Sequence, residues 1–239
     1  MTMPTSFMLV LAIAASSLAA AAEPLRIVAF GDSITGHRPG IEYRADYVKW
    51  TDLVQMVLEV QYGTGSVVVL NRGYAGDSTM GKPSGEPPGA VNRLQRDVLD
   101  NKPAICVMLI GGNNFAKVTE TERPAREAQF RTDLTAMVGK AQAAGIKVLL
   151  VQYHAARADD PATAWSTLDD GNAIIAEVAK TSGAATVELE PAFAAALAAG
   201  ATPAMLVNKK DGVHLNPFGE TVVARVIARK LLDLGWIAR

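Results

Sequence analysis

The chain of 239 residues holds one cysteine, Cys106, so no intrachain disulfide can form and no CxxC pair exists to grip zinc. It holds three histidines, His37, His154 and His214, and any base that is neutral near pH 7 must come from that short list. Neither sign of charge is in excess. The 23 basic and 24 acidic side chains leave a net charge of −1, which supplies no field for a phosphate backbone or an anionic bilayer and disfavours a nucleic-acid role. Aromatic residues make up only 6%, which suits helices packed on a sheet better than an all-β sandwich. With 49% hydrophobic residues and so little net charge, intrinsic disorder is excluded.

Charge is absent altogether from Met1–Ala22. An apolar stretch from Phe7 to Ala15 is followed by small residues ending in Ala20-Ala21-Ala22, the pattern of a signal-peptide core with an A-x-A cleavage site. The run is short for a transmembrane span. Its one atypical feature is an amino-terminal region with no Lys or Arg. The reading expects cleavage before Glu23, export to the periplasm or medium, no stable membrane insertion of the mature chain, and one domain over residues 23–239.

Through that domain short apolar runs alternate with helical periods. Leu25–Phe30, Val67–Leu70, Ile105–Ile110, Lys147–Val151 and Thr186–Leu189 read as strands, several apolar nearly throughout as strands buried on both faces should be. Tyr47, Trp50, Val54, Val57 and Leu58 share a helical face, as do Phe130, Leu134, Met137, Val138 and Ala141, and again Val222, Val223, Val226, Ile227 and Leu231. Asn216-Pro217 reads as an N-cap with proline at the first helical position, and Gly145 as the stop of the long middle helix. Strand alternating with helix predicts parallel strands, right-handed crossovers and a three-layer α/β/α sandwich. Two long connections, Asp77–Gly89 and Gln152–Asp170, follow strand ends on the side where open α/β sheets bind ligands.

Candidate chemistry collects on those loops. The first strand ends in Gly31-Asp32-Ser33-Ile34-Thr35-Gly36, a serine among small residues; it is neither GxSxG, because Thr35 stands where glycine is needed, nor SxxK. The second ends in Gly73-Tyr74-Ala75-Gly76-Asp77-Ser78, so a GDS triplet occurs twice and spacing does not choose between Ser33 and Ser78. The third ends in Gly111-Gly112-Asn113-Asn114, where an Asn amide can donate to an oxyanion. Before the last helix lies Asp211-Gly212-Val213-His214, an acid able to fold back onto the imidazole. Each motif alone is commonplace. Together they supply a hydroxyl, oxyanion donors, a base and its orienting acid, the parts needed for acyl transfer.

In this order the motifs resemble those of the GDSL/SGNH hydrolase family, over essentially the whole mature chain. The resemblance implies Ser33 as nucleophile, resolving the GDS ambiguity against Ser78. It implies an oxyanion hole of Ser33, Gly76 and Asn113, with His214 as base and Asp211 as its partner. It also implies a flavodoxin-like sheet of five parallel strands in the order 2-1-3-4-5, ester hydrolysis through an acyl-enzyme, and no metal or organic cofactor. One departure stands out: the family's third block usually ends in Asp, where this chain has Asn114.

Substrate identity is less legible. Exported relatives without a greasy insertion resemble carbohydrate O-acetylesterases, with lipases, lysophospholipases and thioesterases as alternatives; small-molecule or polysaccharide esters are the expected substrates. Asp32, His154 and Trp165 are candidate substrate contacts, with Arg157 and Lys82 on the flanking loops. A rival of another class reads Ser33-Ile34-Thr35-Gly36 as a flavodoxin loop cradling the phosphate of FMN, which leaves GGNN and DGVHLN unexplained.

Overall fold

In a computed structural model of the protein, residues 23–36, 48–158 and 167–237 are described. The expected leader Met1–Ala22, Tyr47, His37 and the candidate contact Trp165 lie outside the described residues. The elements run β1 (Leu25–Gly31), α1 (Trp50–Tyr62), β2 (Val67–Gly73), α2 (Ala90–Asp97), β3 (Ile105–Leu109), α3 (Arg123–Ala143), β4 (Lys147–Gln152), α4 (Asn172–Ser182), β5 (Ala185–Glu188), α5 (Glu190–Ala198), α6 (Pro203–Leu206) and α7 (Pro217–Asp233).

The five strands form one parallel sheet in the order β2-β1-β3-β4-β5, the order expected. Burial follows position in the sheet. All five residues of central β3 are buried, whereas edge strand β5 is half-buried to exposed. The register brings Gly31 opposite Gly73 on one side and Leu109 on the other, so β1, β2 and β3 end level and their loops leave from one edge. That edge is where parallel α/β sheets hold ligands.

Helices α1 and α5 pack against α7, and α2 and α4 against α3, which gives the two outer layers. The α3 stripe Phe130, Leu134, Met137, Val138 and Ala141 is buried as its spacing predicts. In α1, Trp50, Val54 and Leu58 are buried but Val57 is 46% exposed, a correction to the sequence reading. At 100° per residue Val57 falls at the rim of the arc centred on Val54. A buried ion pair ties α1 to α7: Lys49 Nζ lies 2.7 Å from Glu220 Oε1, and Glu220 Oε2 accepts the Trp50 N–H at 2.8 Å. Asn216 is the N-cap residue of α7, yet its amide donates to the Ala204 and Val207 carbonyls and so fastens α6 to α7. Among the described residues no helix is long and apolar enough to cross a membrane.

Candidate active site

The turn after β1 is wound around Asp32. Its carbonyl accepts the N–H groups of Thr35 and Gly36, and its Oδ1 accepts that of Ile34 at 2.9 Å, which presents Ser33 at the tip. The turn lies hard against the end of β2. A Cβ on Gly73 would sit 2.0 Å from the Gly36 nitrogen, so this approach needs glycine. Asp32 itself is 1% exposed, and its Oδ2 accepts the Tyr153 hydroxyl at 2.6 Å. Burial drives its carboxyl pKa up to about 6 against the lowering effect of that hydrogen bond. The candidate substrate contact Asp32 therefore stands behind Ser33, braced by a tyrosine.

The segment before α7 brings His214 to Ser33. Val207 and Leu215 form an antiparallel bridge, and the His214 carbonyl accepts the Asn208 N–H at 2.7 Å. Inside this hairpin Asp211 Oδ1 accepts the N–H groups of Val213 and His214, at 2.8 and 3.0 Å. Gly212, at φ +70°, packs so closely on Arg157 and Ala158 that a Cβ would fall 2.2 Å from the Ala158 nitrogen. Thus positioned, His214 Nδ1 lies 3.0 Å from Asp211 Oδ2, and Nε2 lies 2.9 Å from Ser33 Oγ across 181 residues of sequence. Burial raises the Asp211 carboxyl, but the hydrogen bonds from the His214 ring and the two N–H groups outweigh it and leave its pKa below the ordinary value. An ionised Asp211 accepts Nδ1–H, which leaves Nε2 free to accept the serine proton.

Gly76 and Asn113 line the same cleft as Ser33 and His214, a space of about 950 Å³. The Asn113 amide donates to the Asp77 carbonyl at 2.8 Å and lies 3.5 Å from Asp32 Oδ2. Among the described residues no protein acceptor takes the main-chain N–H of Ser33 or Gly76. Neighbouring Asn114 also borders the cleft, but its buried side chain is taken up by Thr79: it accepts the Thr79 N–H and donates to Thr79 Oγ1, whose hydroxyl donates to Asp133. Ser78 also lines the cleft, but of the two GDS serines the one bonded to a histidine ring is Ser33.

His154 is fully buried and stacked on Phe193, with ring centroids 4.4 Å apart, while its Nδ1 donates to the Ala155 carbonyl at 2.9 Å. Burial lowers its pKa to about 4. The ring stands behind the wall of the site rather than on it, which leaves no face for a substrate. Arg157 is engaged with Glu190 and the Ala155 carbonyl.

Two groups that the sequence reading passed over support the site. Tyr153 directly follows β4, a position that could have flagged it. Arg93 had no such signal, because on a polar-looking helix it reads as surface. It is 2% exposed, with Nε 2.6 Å from Asp77 Oδ2, Nη2 donating to the Gly31 carbonyl at 2.6 Å and Nη1 to the Arg72 carbonyl at 2.7 Å. One guanidinium thus joins the ends of β1 and β2 to the loop that carries Gly76. Its ring-facing carbon lies 4.0 Å from the Phe30 centroid.

Three comparisons place this arrangement. An acetylxylan esterase from Geobacillus stearothermophilus superposes with a TM-score of 0.64 at 21% identity, covering 89% of this chain and 96% of that one. An alpha/beta hydrolase enzyme from the metagenome of Lake Arreo, Spain, does so with a TM-score of 0.64 at 21% identity, covering 90% and 96%. Likeness at that identity establishes the fold. The uncharacterized lipoprotein YqeF of Bacillus subtilis (strain 168) is 32% identical over 125 residues, 52% of this chain and 46% of that protein, so the match spans about half the length of that relative. The family model of the GDSL-like lipases and acylhydrolases matches residues 29–222, which take in all the motifs described above, and the chain belongs to that family.

Proposed function

We propose that the protein is a serine esterase that removes short acyl groups, acetyl above all, from carbohydrates. The observation that carries this is the continuous relay from Ser33 Oγ through His214 to Asp211, opening on a cleft that Asn113 and Gly76 also line. Neutral His214 takes the Ser33 proton at Nε2 as Oγ attacks the acyl carbon. The imidazolium is stabilised by Asp211. Charge on the former carbonyl oxygen is met by the Asn113 amide and the N–H groups of Gly76 and Ser33. His214 then returns its proton to the departing alcohol. Water, deprotonated by the same imidazole, attacks the acyl-enzyme and regenerates Ser33. Family membership favours this over the phosphate-loop reading of Ser33–Gly36, because hydrolysis uses His214 and Asn113 as well.

The acetyl-sugar preference is supported by the acetylxylan esterase fold likeness. Export is supported by the uncharged apolar leader Met1–Ala22 and by the lipoprotein relative. Acetylated xylan and monosaccharide acetates assayed against nitrophenyl esters of graded chain length test the reading. Release of acetate from the sugars, with activity falling as the acyl chain lengthens, is expected; a preference for medium or long chains would point to a lipase or lysophospholipase. Amino-terminal sequencing of exported protein should begin at Glu23, and full-length protein confined to the cytoplasm would refute export.

A further inference from the structure

Among the described residues, the lining of the cleft beside Ser33 has an uneven charge. Three cations line it from three separate segments: Lys82 in the loop after β2, Lys117 in the loop after β3, and Arg126 on α3. Among the described residues its one carboxylate, Glu86, accepts a hydrogen bond from the Tyr74 hydroxyl. This excess stands in a chain whose overall net charge is −1.

Elsewhere on α3 the arginines are paired. Arg123 lies 2.8 Å from Asp170, and Arg131 lies 3.0 Å from Glu177. Arg126, between them, donates to the Met80 thioether at 3.8 Å and forms no ion pair among the described residues; Glu122, one turn earlier, feels its charge but is held by the N–H and hydroxyl of Thr119. Among the described residues neither Lys82 nor Lys117 forms an ion pair.

Two of the three sit on a shaped backbone. Lys117 adopts φ +60°, a left-handed conformation that lysine adopts at a cost and that persists only where its surroundings hold it. The Lys82 N–H donates to the Pro87 carbonyl and its carbonyl accepts the Gly85 N–H, while Asp77 Oδ1 accepts the Gly89 N–H and closes the loop. The ammonium groups are therefore carried by ordered loops at the mouth of the site.

We infer that the sugar ester this enzyme takes is anionic, with carboxylate groups beside the acylated position that Lys82, Lys117 and Arg126 receive. This rests on the esterase reading above and narrows its substrate class. Lysine meets a carboxylate as a point charge and arginine as a two-pronged donor, so Arg126 suits a fixed uronate and the lysines a run of them. Charges at a cleft mouth act mainly on capture, through kcat/KM, and are screened by salt.

The test compares acetylated oligogalacturonate with acetylated xylo-oligosaccharide, in the wild type and in a triple variant carrying Lys82→Ala, Lys117→Gly and Arg126→Gln. Glycine at 117 keeps the left-handed backbone unstrained. At low ionic strength the wild type should favour the anionic ester in kcat/KM by about tenfold, and salt near 0.5 M or the triple substitution should bring the ratio close to one. A ratio that neither salt nor the substitutions move overturns the inference and leaves the esterase reading standing. A preference for an anionic phospholipid over both sugars overturns it as well. Turnover of neither sugar ester refutes the sugar-esterase reading and this inference with it.

Discussion

The side-chain amide of Asn113 donates to the main-chain carbonyl of Asp77 over 2.8 Å, which locks the loop after β3 to the loop after β2. An amide nitrogen carries two hydrogens, so this bond fixes the group's orientation, and the second hydrogen has only the long 3.5 Å contact with Asp32 Oδ2 to give up to a substrate oxygen. Asn114, one residue on, spends its amide on Thr79 within the core. Adjacent asparagines thus have separate assignments, and their variants should fail in different ways.

Asn113→Ala should stay folded, be labelled slowly at Ser33 and lose about 10²–10³ in kcat with little change in KM, the signature of a group that bonds the transition state more strongly than the ground state. Asn114→Ala should keep far more of its turnover but lose about 1–3 kcal/mol of stability, because the Thr79 N–H and hydroxyl are left without their buried partner. Steady-state kinetics and urea unfolding of both variants separate the two roles. If Asn113→Ala keeps more than about a tenth of wild-type kcat, the oxyanion is held by other groups.

A serine-directed phosphonate should modify Ser33 and not Ser78, and Ser33→Ala should abolish both labelling and turnover. Peptide mapping of the labelled protein decides this. Adduct on Ser78 in the Ser33→Ala variant would reverse the assignment.

Arg93 should matter to activity although it is buried away from the cleft. Arg93→Met leaves the buried Asp77 carboxylate without its cation, at a cost of about 3–5 kcal/mol. Arg93→Lys is the informative variant. It keeps the charge but cannot reach the Gly31 and Arg72 carbonyls and Asp77 together, so kcat should fall more than KM changes as the Asp77 carbonyl that orients Asn113 shifts. Wild-type kcat in a folded Arg93→Lys protein would show that the guanidinium is only a structural tie.

Two buried groups make opposite contributions to stability as pH falls. His154 titrates near 4 when folded and near 6.5 when unfolded, so between those values the unfolded chain binds more protons and acidification destabilises. From about pH 7.5 to 5 this should cost about 2 kcal/mol. Asp32 titrates near 6 when folded against 3.8 for the free group, so over the same interval the folded protein binds more protons and gains about 1.5 kcal/mol. The wild type should therefore show a nearly flat stability over this interval as far as these two groups decide it. His154→Phe should become relatively more stable at the acid end and Asp32→Asn relatively less. Denaturant unfolding at the two pH values checks the signs, and parallel behaviour of the two variants would contradict both.

Much of this molecule was legible in its sequence because the relevant forces are local and periodic. Short apolar runs separated by helical stripes were enough to give the five strands and their alternation with helices, since a strand buried on both faces has no place for a polar residue. The strand order came from the family resemblance, and the sheet has that order. The motifs at the strand ends were visible because parallel strands deliver their carboxyl ends to one edge, and the strand order implied by the resemblance set Ser33 beside Asn113 there. What the sequence could not decide was contact between distant segments. That Ser33 Oγ faces His214 Nε2, and that Arg93 from a polar-looking helix reaches under the sheet to Gly31, Arg72 and Asp77, depends on the close approach of Gly36 to Gly73 and on the packing of the Asp211–His214 hairpin over residues 157–158. The same holds for His154, which by its place on the Gln152–Asp170 loop was a candidate substrate contact and by packing is a core ring. Burial is a property of the whole fold, and it turned a polar residue type into part of the scaffold while leaving a lysine of the same loop system, Lys82, in the cleft.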